Sequence, residues 1–222
     1  MSDQWIADFR RRYQLDLAVT RGEESDQVAA RAELARAYAR KHIPRRYVGA
    51  LPCHQEVEQW VADVVRRGVE QSRRHGRLAP VIHDGPSLLL YGERGVGKTH
   101  AAYGALRVLG LLGIHVRWLA FNAPELYERL RPGDGQLDLA TVSAAPILLI
   151  NDFGAANATQ WVKEVTFRLV DYRYEQNLPT ILTTNFDLPR LEKLVGDRVT
   201  DRLAEVARRV QITGPNRRRN PR

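Results

Sequence analysis

The residues Gly92-Glu-Arg-Gly-Val-Gly97-Lys98-Thr99 fit the spacing G-x-x-x-x-G-K-[ST]. Glycines at 92, 95 and 97 let the backbone curl until successive N–H groups face one way, which makes a cradle for an anion. A helix starting at Lys98 adds its N-terminal donors and the positive end of its dipole. Lys98 then reaches the β- and γ-phosphates of a nucleotide, and the Thr99 hydroxyl is placed for Mg²⁺. The candidate nucleotide-binding set at this loop is Gly92, Gly95, Val96, Gly97, Lys98, Thr99 and His100.

Two further stretches carry polar groups at the end of apolar runs. Ile147-Leu-Leu-Ile150 is followed by Asn151-Asp152. An acidic pair at such a place commonly holds Mg²⁺ through its first member and polarises an attacking water through its second. Here the first member is an amide, which brings no negative charge, so weaker metal binding is expected; Thr99, Asn151 and Asp152 are the candidate metal residues. Asn185, after Ile181-Leu-Thr-Thr184, is placed to hydrogen-bond a γ-phosphate or the lytic water, or to open the helix that contains Pro189; one side chain can do both.

These groups need a scaffold that brings strand ends together. Ser87–Tyr91, Val116–Phe121, Ile147–Ile150 and a run through Thr180–Thr183 read as short buried strands. Helices are expected over Lys98–Leu109, from Pro124, through Val162, Val165, Leu169 and Tyr172, and over Asp197–Arg208, with a last strand at Val210–Thr213. Strands alternating with helices predict an α/β fold with a mainly parallel, doubly wound sheet. In such sheets ligands bind at the carboxyl ends of the strands. Upstream, Val57, Trp60, Val61, Val64 and Val65 mark an amphipathic helix, and Arg73–Pro86 reads as a surface loop. Trp5, Phe9 and Tyr13 recur every four residues as an aromatic stripe on a short N-terminal helix, followed by a second helix from Ser25 towards Ile43.

The chain has 222 residues, 44% of them hydrophobic, enough for a real core. A single cysteine, Cys53, excludes a disulfide framework and a multi-cysteine zinc cluster. No apolar run approaches the roughly 20 residues of a membrane span, so no membrane partner and a cytoplasmic location are expected. The formal charge of +8 invites a polyanion. The basic residues comprise 30 arginines and only four lysines, Lys41, Lys98, Lys163 and Lys193, a bias that GC-rich coding alone can produce.

The ordered set of phosphate loop, Ile-Leu-Leu-Ile-Asn-Asp-Phe-Gly and Ile-Leu-Thr-Thr-Asn resembles the AAA+ ATPases, and within them the DnaC/DnaI helicase-loader and IstB transposition-helper group. Ile43-Pro-Arg-Arg-Tyr47, Phe121-Asn-Ala-Pro-Glu-Leu-Tyr127 and Gly196-Asp-Arg-Val-Thr-Asp-Arg-Leu203 extend the resemblance over roughly residues 43–218. It implies an AAA+ P-loop domain at 44–216, preceded by a helical partner-docking segment at 1–43 and followed by a basic tail at 217–222. It implies ATP and Mg²⁺ as cofactors, with Tyr47 near the adenine, Asp152 polarising water and Asn185 as sensor 1. Arg202 takes the place of an arginine finger acting on a neighbouring subunit's nucleotide, with Arg198 one turn earlier as the second choice. Arg218 takes the sensor 2 position, with Arg217 and Arg219 leaving the register open.

The implied activity is ATP hydrolysis, slow and stimulated by DNA or a partner. The implied function is a replicative helicase loader that assembles with ATP into a ring or open spiral, holds the helicase hexamer through its N-terminus and grips single-stranded DNA. The Trp5–Phe9–Tyr13 stripe is the candidate docking surface, or else an internal seam, and Arg66, Arg67, Arg73 and Arg74 are candidate DNA contacts by clustering. An IstB-like helper on duplex DNA and a weakly hydrolysing nucleotide-switched adaptor are the alternatives.

Overall fold

A computed structural model describes residues 3–18, 25–77, 79–133 and 136–217. The chain forms two compact units, one from Met1–Gly85 with His100–Val116 and the other from Pro86–Thr99 with Arg117–Arg222.

The first unit is helical. It contains α1 (Asp3–Arg12), α2 (Ser25–His42), a 3₁₀ turn at Arg45–Tyr47, α3 (Gln55–Arg74) and most of α4 (Lys98–Leu111). The aromatic stripe forms as its spacing predicts, with ring centroids 5.2 Å apart for Trp5–Phe9 and 4.7 Å for Phe9–Tyr13. It does not stand open. Phe9 and Tyr13 are buried, and the Tyr13 hydroxyl donates to Glu58 on α3 at 2.9 Å. Of the two readings of the stripe, the internal seam is the one Phe9 and Tyr13 follow, and it is made with α3 rather than between the two N-terminal helices, because an aromatic face of this size is best buried against an apolar helix. The buried face of α3 includes Val57, Trp60, Val61, Val64 and Val65, as its periodicity predicts. Helices α2 and α4 approach through small residues: a Cβ on Gly110 would lie 2.8 Å from that of Ala39.

Three of the clustered arginines of α3 have partners within this unit while their side chains stay solvent-accessible. Arg66 bonds Asp63 and the Tyr13 carbonyl, Arg73 bonds Asp16 and the Ala18 carbonyl, and Arg74 pairs with Glu70. Their proximity in sequence reflects helix-surface ion pairing and the anchoring of the segment after α1.

The second unit holds β1 (Ser87–Tyr91), β2 (Trp118–Asn122), β3 (Ile147–Asn151), β4 (Thr180–Thr184) and β5 (Ala207–Gln211), with α5 (Ala123–Arg129), α6 (Leu139–Ser143), α7 (Gln160–Glu175), α8 (Leu188–Val195) and α9 (Asp197–Val206). All pairings are parallel, in the order β2-β3-β4-β1-β5. Strands β3 and β4 are buried throughout, the continuous apolar pattern of a sheet covered on both faces. Leu89, Leu148, Ile150 and Leu182 share a core with Leu126, Phe153 and Leu169. Because the strands are parallel, their carboxyl ends meet at one edge. The chain leaves β1 for the far strand β2 and later returns past β1 to β5, so the order reverses beside β1.

Three expectations shift. The last strand begins at Ala207 rather than Val210. Helix α6, five residues long, was not foreseen. In α7 Tyr172 faces solvent while Arg173 is 2% exposed. Arg173 donates to the Thr180 hydroxyl and to the carbonyls of Ser143, Ala145 and Pro179 at 2.7–2.8 Å. Burial pushes its pKa down to about 9, so it stays charged at neutral pH and ties the starts of β3 and β4 to the end of α6. No described helix is long and apolar enough to cross a membrane.

Candidate nucleotide site

The phosphate loop joins β1 to α4. Gly92, Gly95 and Gly97 all have positive φ, at 140°, 86° and 111°. At Gly95 space is also decisive: a Cβ would lie 2.1 Å from Asn216 Oδ1. The segment after β5 thus lies directly on the loop, where the Arg217 N–H donates to the Gly95 carbonyl at 3.0 Å. The Arg217 guanidinium carbon is 3.4 Å from where a Cβ on Gly97 would be. Val96 is buried and fixes the loop from beneath.

Lys98 is 6% exposed. Its ammonium donates to the carbonyls of Gly92 and Glu93 at 2.8 and 2.7 Å and to Asn185 Oδ1 at 2.8 Å. Asn185 Nδ2 in turn donates to Asp152 Oδ1 at 3.0 Å. Lysine, amide and carboxylate therefore form one relay across the ends of β1, β4 and β3.

The relay is held by Thr183, whose hydroxyl accepts from the Asp152 N–H and donates to Asn151 Oδ1, both at 3.2 Å. The Phe153 N–H donates to the Thr183 carbonyl at 2.7 Å. Asp152 sits at φ 52°, a left-handed conformation Asp tolerates better than most residues, and its carboxylate is solvent-exposed. Asn151 is 4% exposed, so its amide is set inward and serves the strand-to-turn junction. A cavity of about 460 Å³ opens at this edge, lined by Gly92, Glu93, Val96, Asn185, Asp187 and Thr213 among others.

The Thr99 hydroxyl and the Asp152 carboxylate are hard oxygen donors. With phosphate oxygens and water they suit Mg²⁺, which keeps several waters and needs few protein ligands. Among the described residues no group of three or more His, Cys, Asp or Glu forms a self-sufficient cage.

Elsewhere in the same unit, Arg202 on α9 donates through Nε to Asp171 of α7 at 3.0 Å and lies 4.6 Å from the Tyr174 ring centroid. Arg198 lies 5.8 Å from the Phe167 ring centroid. In the helical unit Tyr47 stacks on Tyr103 at 4.8 Å and meets His100 edge-on at 6.5 Å. The Leu51 N–H reaches His100 Nε2 at 3.4 Å. Arg218 lies outside the described residues.

With this geometry in place, a profile of the family described as "IstB-like ATP binding protein" matches residues 22–222. The chain belongs to that family. Over 151 residues it is 30% identical to the replicative helicase loader DnaI of Bacillus subtilis (strain 168), a match covering 60% of this chain and 48% of DnaI. Over 122 residues it is 28% identical to the replicative helicase loader DnaC of Escherichia coli (strain K12), covering 53% and 49%. The chain therefore spans about half the length of these loaders. A crystal structure of DnaI matches with a TM-score of 0.60 at 25% identity, covering 79% of this chain and 94% of that one. The fold is that of the AAA+ P-loop proteins.

In this IstB-like ATP binding protein the structure brings Lys98, Asp152 and Asn185, all singled out in the sequence, within hydrogen-bond contact, with Asn185 between the other two. The sequence reading missed Thr183, which fixes Asp152 and Asn151 at the end of β3, and the seating of Asn216 and Arg217 on the loop. Thr183 carried one usable signal, a hydroxyl in a strand buried throughout, where it needs a hydrogen-bond partner.

Proposed function

We propose that this chain is an ATP-dependent loader of a replicative DNA helicase. It binds ATP and Mg²⁺ at the phosphate loop, assembles side by side with copies of itself in a ring or spiral, and helps place the helicase hexamer on single-stranded DNA. The observation that carries the ATP-hydrolysing part is the Lys98–Asn185–Asp152 relay at the strand ends. The helicase part rests on the similarity to the loaders DnaI and DnaC.

In this reading Lys98 exchanges loop carbonyls for phosphate oxygens when nucleotide enters. Asn185, released on one side, orients the γ-phosphate, and Asp152 accepts a proton from the attacking water. Thr99, with Asp152 nearby, would hold Mg²⁺, which would supply neutralisation of the phosphate charge. Asn151 adds no charge, which fits slow turnover. Arg202 reaches the nucleotide of a neighbouring copy, and Tyr47 is the residue proposed to meet the adenine. The terminal arginine that senses nucleotide is Arg218 or, on the contact with Gly97, Arg217.

The family match favours a second reading, a transposition helper that coats duplex DNA. ATP-dependent native mass in the presence of a replicative helicase tests the first, and ATP-dependent coating of duplex DNA the second.

A further inference from the structure

Resting on the reading of Arg202 as a group that acts on a second copy's nucleotide, we infer that Asp171, Tyr174 and Glu205 form a cradle that presents the Arg202 guanidinium to that phosphate.

The geometry is specific. Asp171 takes only Nε, at 3.0 Å, and among the described residues Nη1 and Nη2 make no hydrogen bond. The guanidinium carbon lies over the Tyr174 ring, 4.6 Å from its centroid. That ring is fixed in turn, because the Tyr174 hydroxyl donates to Glu205 Oε2 at 2.7 Å. An arginine anchored at Nε and laid on an aromatic face keeps its two terminal nitrogens as a free fork, the arrangement that bonds two phosphate oxygens at once. The side chain is 41% exposed, so the fork is reachable from outside the chain. Arg198, one turn earlier, lies over Phe167 but has no carboxylate anchor among the described residues. The hydrogen bond to Asp171 also raises the Arg202 pKa, so the group carries full charge throughout the working range.

Asp171 is thus a positioning residue: it touches no nucleotide of its own copy and acts through Arg202. Fixing the guanidinium in advance lowers the ordering cost paid when the phosphate arrives.

The test uses the full chain and compares Asp171→Ala, Asp171→Asn, Tyr174→Leu, Tyr174→Phe and Arg202→Ala in ATP turnover, ATP affinity and melting temperature. Asp171→Ala and Tyr174→Leu should lower kcat about tenfold with ATP affinity unchanged. Asp171→Asn, which keeps an acceptor, should retain most activity, and Tyr174→Phe, which keeps the ring but loses its bond to Glu205, should fall between wild type and Tyr174→Leu. Adding Lys98→Ala subunits, whose own Arg202 cradle is intact, should restore turnover to Asp171→Ala; damage confined to folding would not be rescued this way. Wild-type turnover in both Asp171→Ala and Tyr174→Leu, with Arg202→Ala inactive, overturns the cradle and leaves the assembly reading standing. Unchanged turnover in Arg202→Ala overturns both. Should Asp171→Ala melt early, Asp171→Asn and Tyr174→Leu decide the matter.

Discussion

Lys98 and Asn185 are separated by 87 positions in the chain, yet Nζ of one donates to Oδ1 of the other at 2.8 Å. That contact exists because β1 and β4 are parallel neighbours, paired from Leu88↔Ile181 to Tyr91↔Thr184, so the residues that follow each strand emerge side by side. Asp152 joins them from β3 by the same logic. The sheet supplies the positions, and the polar residues at its edge supply the chemistry.

Replacing Lys98 by alanine removes a charge-assisted partner from the relay. ATP affinity should fall ~10–100-fold, the worth of one such contact, and ATP should no longer change the native mass. Equilibrium binding and light scattering read the two effects separately.

Arg202→Ala should leave ATP affinity intact and reduce turnover ~10³-fold, the lower end of what an arginine acting on a neighbour's nucleotide contributes. Mixing with Lys98→Ala subunits should recover part of the activity. Failure to complement would give the role to Arg198.

Asn151→Asp restores the missing carboxylate at nearly constant volume, and the Thr183 hydroxyl can still donate to it. The Mg²⁺ concentration for half-maximal turnover should fall about tenfold, as one charge-assisted contact is gained. An unchanged Mg²⁺ dependence would confine residue 151 to its hydrogen bond with Thr183.

Phe9→Ala should destabilise the helical unit by ~3–5 kcal/mol, the cost of a large cavity in a packed core, because Phe9 is 1% exposed. Thermal melting measures this. A variant that melts like the wild type would return the aromatic stripe to the role of a docking surface.

The parts of the fold that showed in sequence were those whose local pattern states their environment. Strands β1 and β3 are apolar runs because both faces are covered, and the phosphate loop is contiguous, so one stretch of chain declares it. Strand β5 reads Ala-Arg-Arg-Val-Gln and lies at the sheet edge with Val210 its one fully buried side chain, which leaves too little periodicity to place its start. Five residues of α6 show no period at all. Arg173 was hidden for a different reason: its partners come from Ser143, Ala145, Pro179 and Thr180, and a buried arginine is only recognisable once they surround it. The same holds for Asp171, 31 positions before Arg202, and for the partners of Arg66 and Arg73 on α3, which come from the Tyr13–Ala18 stretch as well as from α3 itself.

The central claim is that nucleotide controls association with a helicase. Native mass of the chain mixed with the replicative helicase of the same cell, measured with ATP–Mg²⁺ and then with ADP, tests it most directly. A complex larger than either component that forms with ATP, and that Lys98→Ala fails to form, is the predicted result. No complex with either nucleotide, together with ATP-dependent coating of duplex DNA, would contradict it and establish the transposition helper.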